Sequence, residues 1–264
     1  MGKEATIWEH LEELLVRLRR ALIAFAIATL IVPFIPVSLS SYKPLVYVVP
    51  EVLLDHVVPK YIEVWGRNIT VYFSAASPFA GLKIIMYSAI LIGFIASSPY
   101  IAYQIYAFIE PALYPHEKRW IKIGAPIAII LFLMGITVAL LVVLPFTYKI
   151  MFILSATVAG DRLIAYASIE DIMSSALIIT IATGVAFEIP LIVFILVYLG
   201  VIEVPSITGG FMRYLLLLSA IIAALVSPDP SGVGMLLMLI PYYTMMVVAV
   251  LLAKLLRRRK SGPR

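Results

Sequence analysis

Glu188 is the most demanding residue of this sequence. It lies inside an apolar run at about residues 172–199, where a carboxylate costs at least about 2.5 to 3.5 kcal/mol unless a partner or a water-filled cavity receives it. Thr180 and Gly184 precede it at four-residue steps on one helical face. Pro190 lacks the N–H that would bond the carbonyl of residue 186, so the spacing predicts a polar concavity at membrane depth. Such a carboxylate could couple a proton or ion, or dock a polar partner. The plain alternative is a protonated acid hydrogen-bonded to a neighbouring helix.

Residues 97–120, SSPYIAYQIYAFIEPALYPHEKRW, form a polar, aromatic, proline-punctuated hinge between two long apolar runs. Glu117 stands there among His116, Lys118 and Arg119, a cluster expected at a membrane surface. Its ordinary explanation is a solvated loop end. Glu13 could likewise form an i,i+4 ion pair with Arg17, worth about 0.3 to 0.5 kcal/mol. Tyr100, Tyr103, Tyr106 and Phe108 read as an interfacial aromatic belt. The tail residues Arg257, Arg258, Arg259 and Lys260 read as a topology anchor on an anionic membrane, not as a nucleic-acid patch. The sequence contains no phosphate-binding glycine motif, metal-ligand cluster or nucleophile triad, and its three histidines, at 10, 56 and 116, are scattered. With no cysteine, disulfides, thiolate catalysis and Cys-based zinc sites are excluded. No cofactor is implied.

The elements that must position these residues are membrane helices. The chain is 63% hydrophobic and 13% charged over 264 residues, with a mean hydropathy of +1.07, well beyond the roughly 45 to 50% apolar content of soluble domains. The fold class expected is an all-α integral membrane protein, a single polytopic domain over residues 1–264 with six transmembrane helices. Residues 1–20 predict a cytoplasmic amphipathic helix, started by a Thr6/Glu9 capping box, with Glu9, Glu13, Arg17 and Arg20 on its polar face. The expected spans are 21–37, 78–98, 121–145, 172–199, 213–227 and 235–252, followed by a basic tail at 253–264. Residues 38–76 predict a structured external cap of short amphipathic helices, with RNITVYF extended. The fifth span, at about fifteen residues, would cover only roughly 22 Å of a core of about 30 Å.

Orientation follows from the basic residues. Lys3, Arg17, Arg19, Arg20, Lys118, Arg119, Lys122, Arg213 and the six in the tail fall on one side. Lys43, Lys60, Arg67, Lys149 and Arg162 fall on the other, with Lys83 inside the second run. This bias makes both termini and the hinge cytoplasmic, as expected of a multi-pass protein of the cell membrane.

Several ordered features resemble one family. They are His10-Leu11-Glu12-Glu13-Leu14, Lys43-Pro44-Leu45, the hinge from Ser98 to Arg119, Pro145, Phe187-Glu188-Ile189-Pro190, Ser227-Pro228-Asp229-Pro230 and Ile240-Pro241. Together the chain resembles the twin-arginine translocase subunit TatC. The resemblance implies a cup-shaped six-helix bundle that receives the twin-arginine signal peptides of folded cargo. It also implies recruitment of a TatA-type single-span subunit, in a homo- or hetero-oligomer within the lipid bilayer, and it leaves open a separate TatB-type partner. Residue by residue, it implies that Glu13 and Glu117 contact the arginine pair, that Glu188 belongs to the concave face and partner docking, and that Asp229 is the acid of the last external turn. The chain departs from the pattern at Leu15, where the family often has Arg, and at Gly234 or Met235, where it often has a polar residue. The opposing hypothesis is an ion-coupled secondary transporter using Glu188, which would favour internal repeats. The two halves of the chain are not similar.

Overall fold

The computed structural model describes residues 7–38, 42–64, 66–110, 118–159, 165–204, 209–227 and 232–260. Its elements in order are α1 (Ile7–Ile31), α2 (Leu45–Val57), β1 (Tyr61–Val64), β2 (Arg67–Ser74), α3 (Ala80–Ile109), α4 (Lys118–Val138), α5 (Leu144–Ala159), β3 (Ala165–Ser168), α6 (Ile169–Ala186), α7 (Ile189–Leu199), α8 (Gly209–Val226) and α9 (Val233–Lys260). The helical stretches Ala80–Ile109, Gly124–Val158, Ile169–Leu199 and Val233–Arg257 are long and apolar enough to cross a membrane, and Gly210–Val226 is a shorter apolar helix. The chain is thus a mostly helical, multi-pass membrane protein. It divides into two compact units, residues 1–52 with 75–130 and residues 53–74 with 131–264.

In the first unit α1 is one continuous helix, so the charged segment and the first apolar run are not separate elements. The Thr6 cap lies outside the described residues. Pro33 sits in a single 3-10 turn, Val32–Phe34, that closes the helix. α1 packs antiparallel to α3: Phe25 meets Phe94 edge to face at 5.8 Å. At Gly93 an added Cβ would stand 2.6 Å from the Cα of Thr29, so only glycine permits this approach. α3 continues through Pro99 to Ile109, beyond the expected end of the span. Proline leaves the Ile95 carbonyl without its i+4 donor, and the Ser98 hydroxyl donates to that carbonyl at 2.8 Å. The helix therefore survives its proline with its backbone satisfied.

In the second unit α4 and α5 form one helical run through Pro145, which was expected to end a span. The N–H of Leu144 bonds the carbonyl of Ala139 in a π-turn over Ala139–Val143. That shift of register absorbs the missing N–H at position 145. RNITVYF is extended as expected, but it belongs to a three-stranded sheet that periodicity did not reveal. β1 pairs antiparallel with the first half of β2, Tyr61 opposite Thr70, and β3 pairs parallel with its second half, Val71 opposite Ala165. Val58, Val71, Ala167 and Ile172 form a buried cluster covered by Tyr148 and Phe152 of α5. The Ser168 hydroxyl caps α6 by accepting from the N–H of Asp171. Tyr148 donates to the Ile172 carbonyl at 3.0 Å, tying α5 to the sheet end of α6.

Candidate functional site

In the first unit the start of α1 lies against the end of α3. The His10 ring stacks on Phe108 with centroids 4.5 Å apart and planes 22° from parallel. His10, read as one of three scattered histidines, and Phe108, read as part of a belt, are therefore partners. No local pattern announces the pair, because only the antiparallel register of α1 and α3 brings them together. Glu13 follows His10 by three residues, almost one turn.

Glu13 and Arg17, expected on the polar face of the amphipathic segment, lie on the side of α1 that meets α3. They are the half-buried positions of a turn whose neighbours are exposed, and with Ala21, Ala24, Phe25, Ala28 and Thr29 they continue the stripe that meets α3. Their side chains are paired as the spacing predicts. Arg17 Nε and Nη2 both donate to Glu13 Oε1, at 2.9 and 2.6 Å, with side-chain exposures of 20% for Arg17 and 30% for Glu13. Among the described residues Oε2 takes no hydrogen bond. Gln104 precedes Phe108 by one turn on the same face of α3. It is 4% exposed, and its side-chain oxygen accepts no hydrogen bond among the described residues. The register set by the His10–Phe108 and Phe25–Phe94 pairs brings it level with the Glu13–Arg17 turn.

Glu110 caps the end of α3, and its carboxylate hydrogen-bonds the Tyr106 hydroxyl. This acid was not singled out in the sequence because the prolines beyond it drew the hinge together as one feature. Glu117 lies outside the described residues, eight positions beyond the end of α3, and Asp229 lies outside them as well.

In the second unit Glu188 occupies a break between two apolar helices. α6 ends at Ala186, and Glu188 is the N-cap residue of α7 with Pro190 in its first turn. The N–H of Glu188 bonds the carbonyl of Val185 at 3.1 Å, a tightened turn. The Ala186 carbonyl, which Pro190 cannot bond, accepts the Tyr242 hydroxyl of α9 at 3.0 Å, and the Phe187 and Tyr242 rings meet at 6.2 Å. Thr180 and Thr183 are fully buried; Thr183 returns its hydroxyl to the Ile179 carbonyl, and the Thr180 hydroxyl has no partner among the described residues. Gly135 of α4 crosses Gly184 closely: a Cβ on Gly135 would lie 2.9 Å from both the Gly184 Cα and the Thr183 oxygen. Glu188 itself is half-buried and has no ion-pair partner among the described residues. The break thus holds a carboxylate in place by backbone hydrogen bonds and packing, with its head group in no ion pair among the described residues.

Comparison with known proteins follows the same lines. The family model for the Sec-independent protein translocase protein (TatC) matches residues 9–241. The protein of that name from Aquifex aeolicus (strain VF5) is 35% identical over 235 residues, covering 88% of each chain. That from Carboxydothermus hydrogenoformans is 33% identical over 239 residues, covering 90% of this chain and 88% of the other. A crystal structure described as the twin arginine translocase receptor TatC superposes with a TM-score of 0.69 at 31% identity, covering 94% of this chain and 99% of that one.

Proposed function

The chain belongs to the TatC family of Sec-independent protein translocase proteins, and from that premise we propose that it is the twin-arginine signal-peptide receptor and core subunit of a translocase that moves folded proteins across the cytoplasmic membrane. Glu13 and Glu117 receive the peptide's arginines. The observation that carries this assignment is the His10–Phe108 stack: it ties the helix turn bearing Glu13 to the end of the helix from which the chain runs on to Glu117. A guanidinium suits two such carboxylates because it is planar, permanently charged and able to donate in parallel to both oxygens of one acid.

Glu188 serves assembly. A half-buried carboxylate at a helix break, with no ion-pair partner among the described residues, is suited to a polar group of a TatA-type single-span subunit entering from the bilayer, and Asp229 would contribute from the last external turn. Both termini face the cytoplasm, as the basic residues favour. The work is recognition and assembly, without a covalent step. The relatives support this translocase reading rather than the ion-coupled transporter built on Glu188.

The test is direct binding of a synthetic twin-arginine peptide to the detergent-purified chain, run beside ion-flux measurements in proteoliposomes. Saturable binding without flux is expected. Flux that disappears in Glu188→Gln, with no peptide binding, would establish the transporter instead.

A further inference from the structure

The pair between Glu13 and Arg17 has a consequence for recognition, and it rests on the receptor reading above. A residue meant to receive an arginine already holds one. Arg17 presents two donors to Oε1, on a half-buried face where the attraction is less screened than at an open surface. We propose that Arg17 is a resident guanidinium at Glu13, exchanged for an arginine of the signal peptide on binding, and that this exchange makes residue 17 a determinant of the site's affinity.

Two features make the exchange feasible. The pair uses only one carboxylate oxygen, so an incoming guanidinium can engage Oε2 before Arg17 leaves Oε1. Arg17 then needs an acceptor, and Gln104 supplies one: its side-chain oxygen is buried, without a donor among the described residues, and lies on the facing helix at the level of the pair. A released arginine stem can turn toward it within the α1–α3 seam.

The discrimination follows from the chemistry of replacement. An arginine substitutes one two-donor fork for another, so little is lost at Glu13. A lysine brings a strongly hydrated point charge that does not reproduce the fork. The cost of releasing Arg17 is common to both peptides, so Arg17 lowers both affinities alike while the preference for arginine arises in the contact with Glu13 itself.

The experiment measures binding of twin-arginine and twin-lysine peptides to the detergent-purified full chain, as wild type and as Arg17→Gln, Arg17→Lys, Arg20→Gln and Glu13→Gln, each with a thermal unfolding control. Arg17→Gln should bind the twin-arginine peptide about 3- to 10-fold tighter, the range between an exposed ion pair and a charged hydrogen bond. It should gain by a similar factor for twin-lysine, leaving the ratio between the two peptides nearly unchanged. Arg17→Lys, which keeps the charge and the apolar stem, should move both affinities the same way by less. Arg20→Gln removes one positive charge from an exposed position of the same helix and reports general repulsion alone; an equal gain there would overturn the exchange. So would weaker binding in Arg17→Gln, which would make Arg17 a support for Glu13. Glu13→Gln separates the two levels of the proposal: if it does not weaken binding, the receptor site itself is misplaced, whereas weakened binding with no gain in Arg17→Gln defeats the exchange alone.

Discussion

The Tyr242 hydroxyl donates to the carbonyl of Ala186 at 3.0 Å, the one carbonyl that Pro190 leaves without an i+4 donor. A side chain from α9 thereby completes the backbone of the α6–α7 break, so the carbonyl freed by Pro190 is not left unsatisfied beside Glu188. The proline and the tyrosine are two halves of one device.

Their coupling is measurable. Tyr242→Phe keeps the ring against Phe187 and removes only the donor, so it should destabilise the chain by about 1 to 3 kcal/mol, read as a lower unfolding temperature in detergent. Pro190→Ala restores an N–H able to bond Ala186 directly. In that background Tyr242→Phe should be nearly silent, and additive losses would show that the two residues act independently.

The crossing of α4 and α6 gives a second prediction. Gly135→Ala places a methyl 2.9 Å from the Gly184 Cα and the Thr183 oxygen, backbone that cannot swing aside, and should destabilise by about 1 to 3 kcal/mol through overpacking. Gly124→Ala, with nothing within 4 Å of the added carbon, should be neutral or slightly stabilising. Equal unfolding temperatures for the two variants would refute the close crossing.

Much of this was legible from residue types, and the exceptions have physical reasons. The isolated carboxylate of Glu188, Pro190 and the freed carbonyl at 186 can be read directly, because a proline's effect on its own helix is local. The donor that answers it, Tyr242, lies 56 residues away and has no local signature. Pro99 and Pro145 were expected to end spans, and a helix that stops at each would be the simplest way. The helices do not stop there, because a serine hydroxyl and a π-turn supply what each proline removes. The pairing of β2 with β3 joins segments some ninety residues apart through four short pairs, too brief for periodicity to detect. The polar face of α1 could be read from charge, but not that α3 approaches on the side of Glu13 and Arg17 and half-buries both, because that contact is tertiary.

If Glu188 serves partner assembly, Glu188→Ala should reduce transport of a twin-arginine cargo in membrane vesicles far more than it reduces peptide affinity, which should stay within about threefold of wild type, less than the loss of one hydrogen bond to a charged group. Equal loss of both in a folded variant would merge the two roles into one site.

Topology is open to single-cysteine labelling, which the cysteine-free sequence makes unambiguous. An impermeant thiol reagent added from outside should mark positions near Asp55 and Asp161, and leave positions near Glu117 and Ser261 unmarked until the membrane is opened. External labelling at Ser261 would reverse the orientation drawn from the basic residues.

The joint role of Glu13 and Glu117 in receiving the arginine pair is open to a single titration. Binding of the twin-arginine peptide is measured for wild type, Glu13→Gln, Glu117→Gln and the double variant, all with wild-type unfolding temperatures. At about 1.5 to 3 kcal/mol for each charged contact, a single substitution should weaken binding roughly 10- to 150-fold and the double substitution more, with the arginine-over-lysine preference lost alongside. An unchanged affinity in the folded double variant would contradict that role and remove both residues from the recognition site.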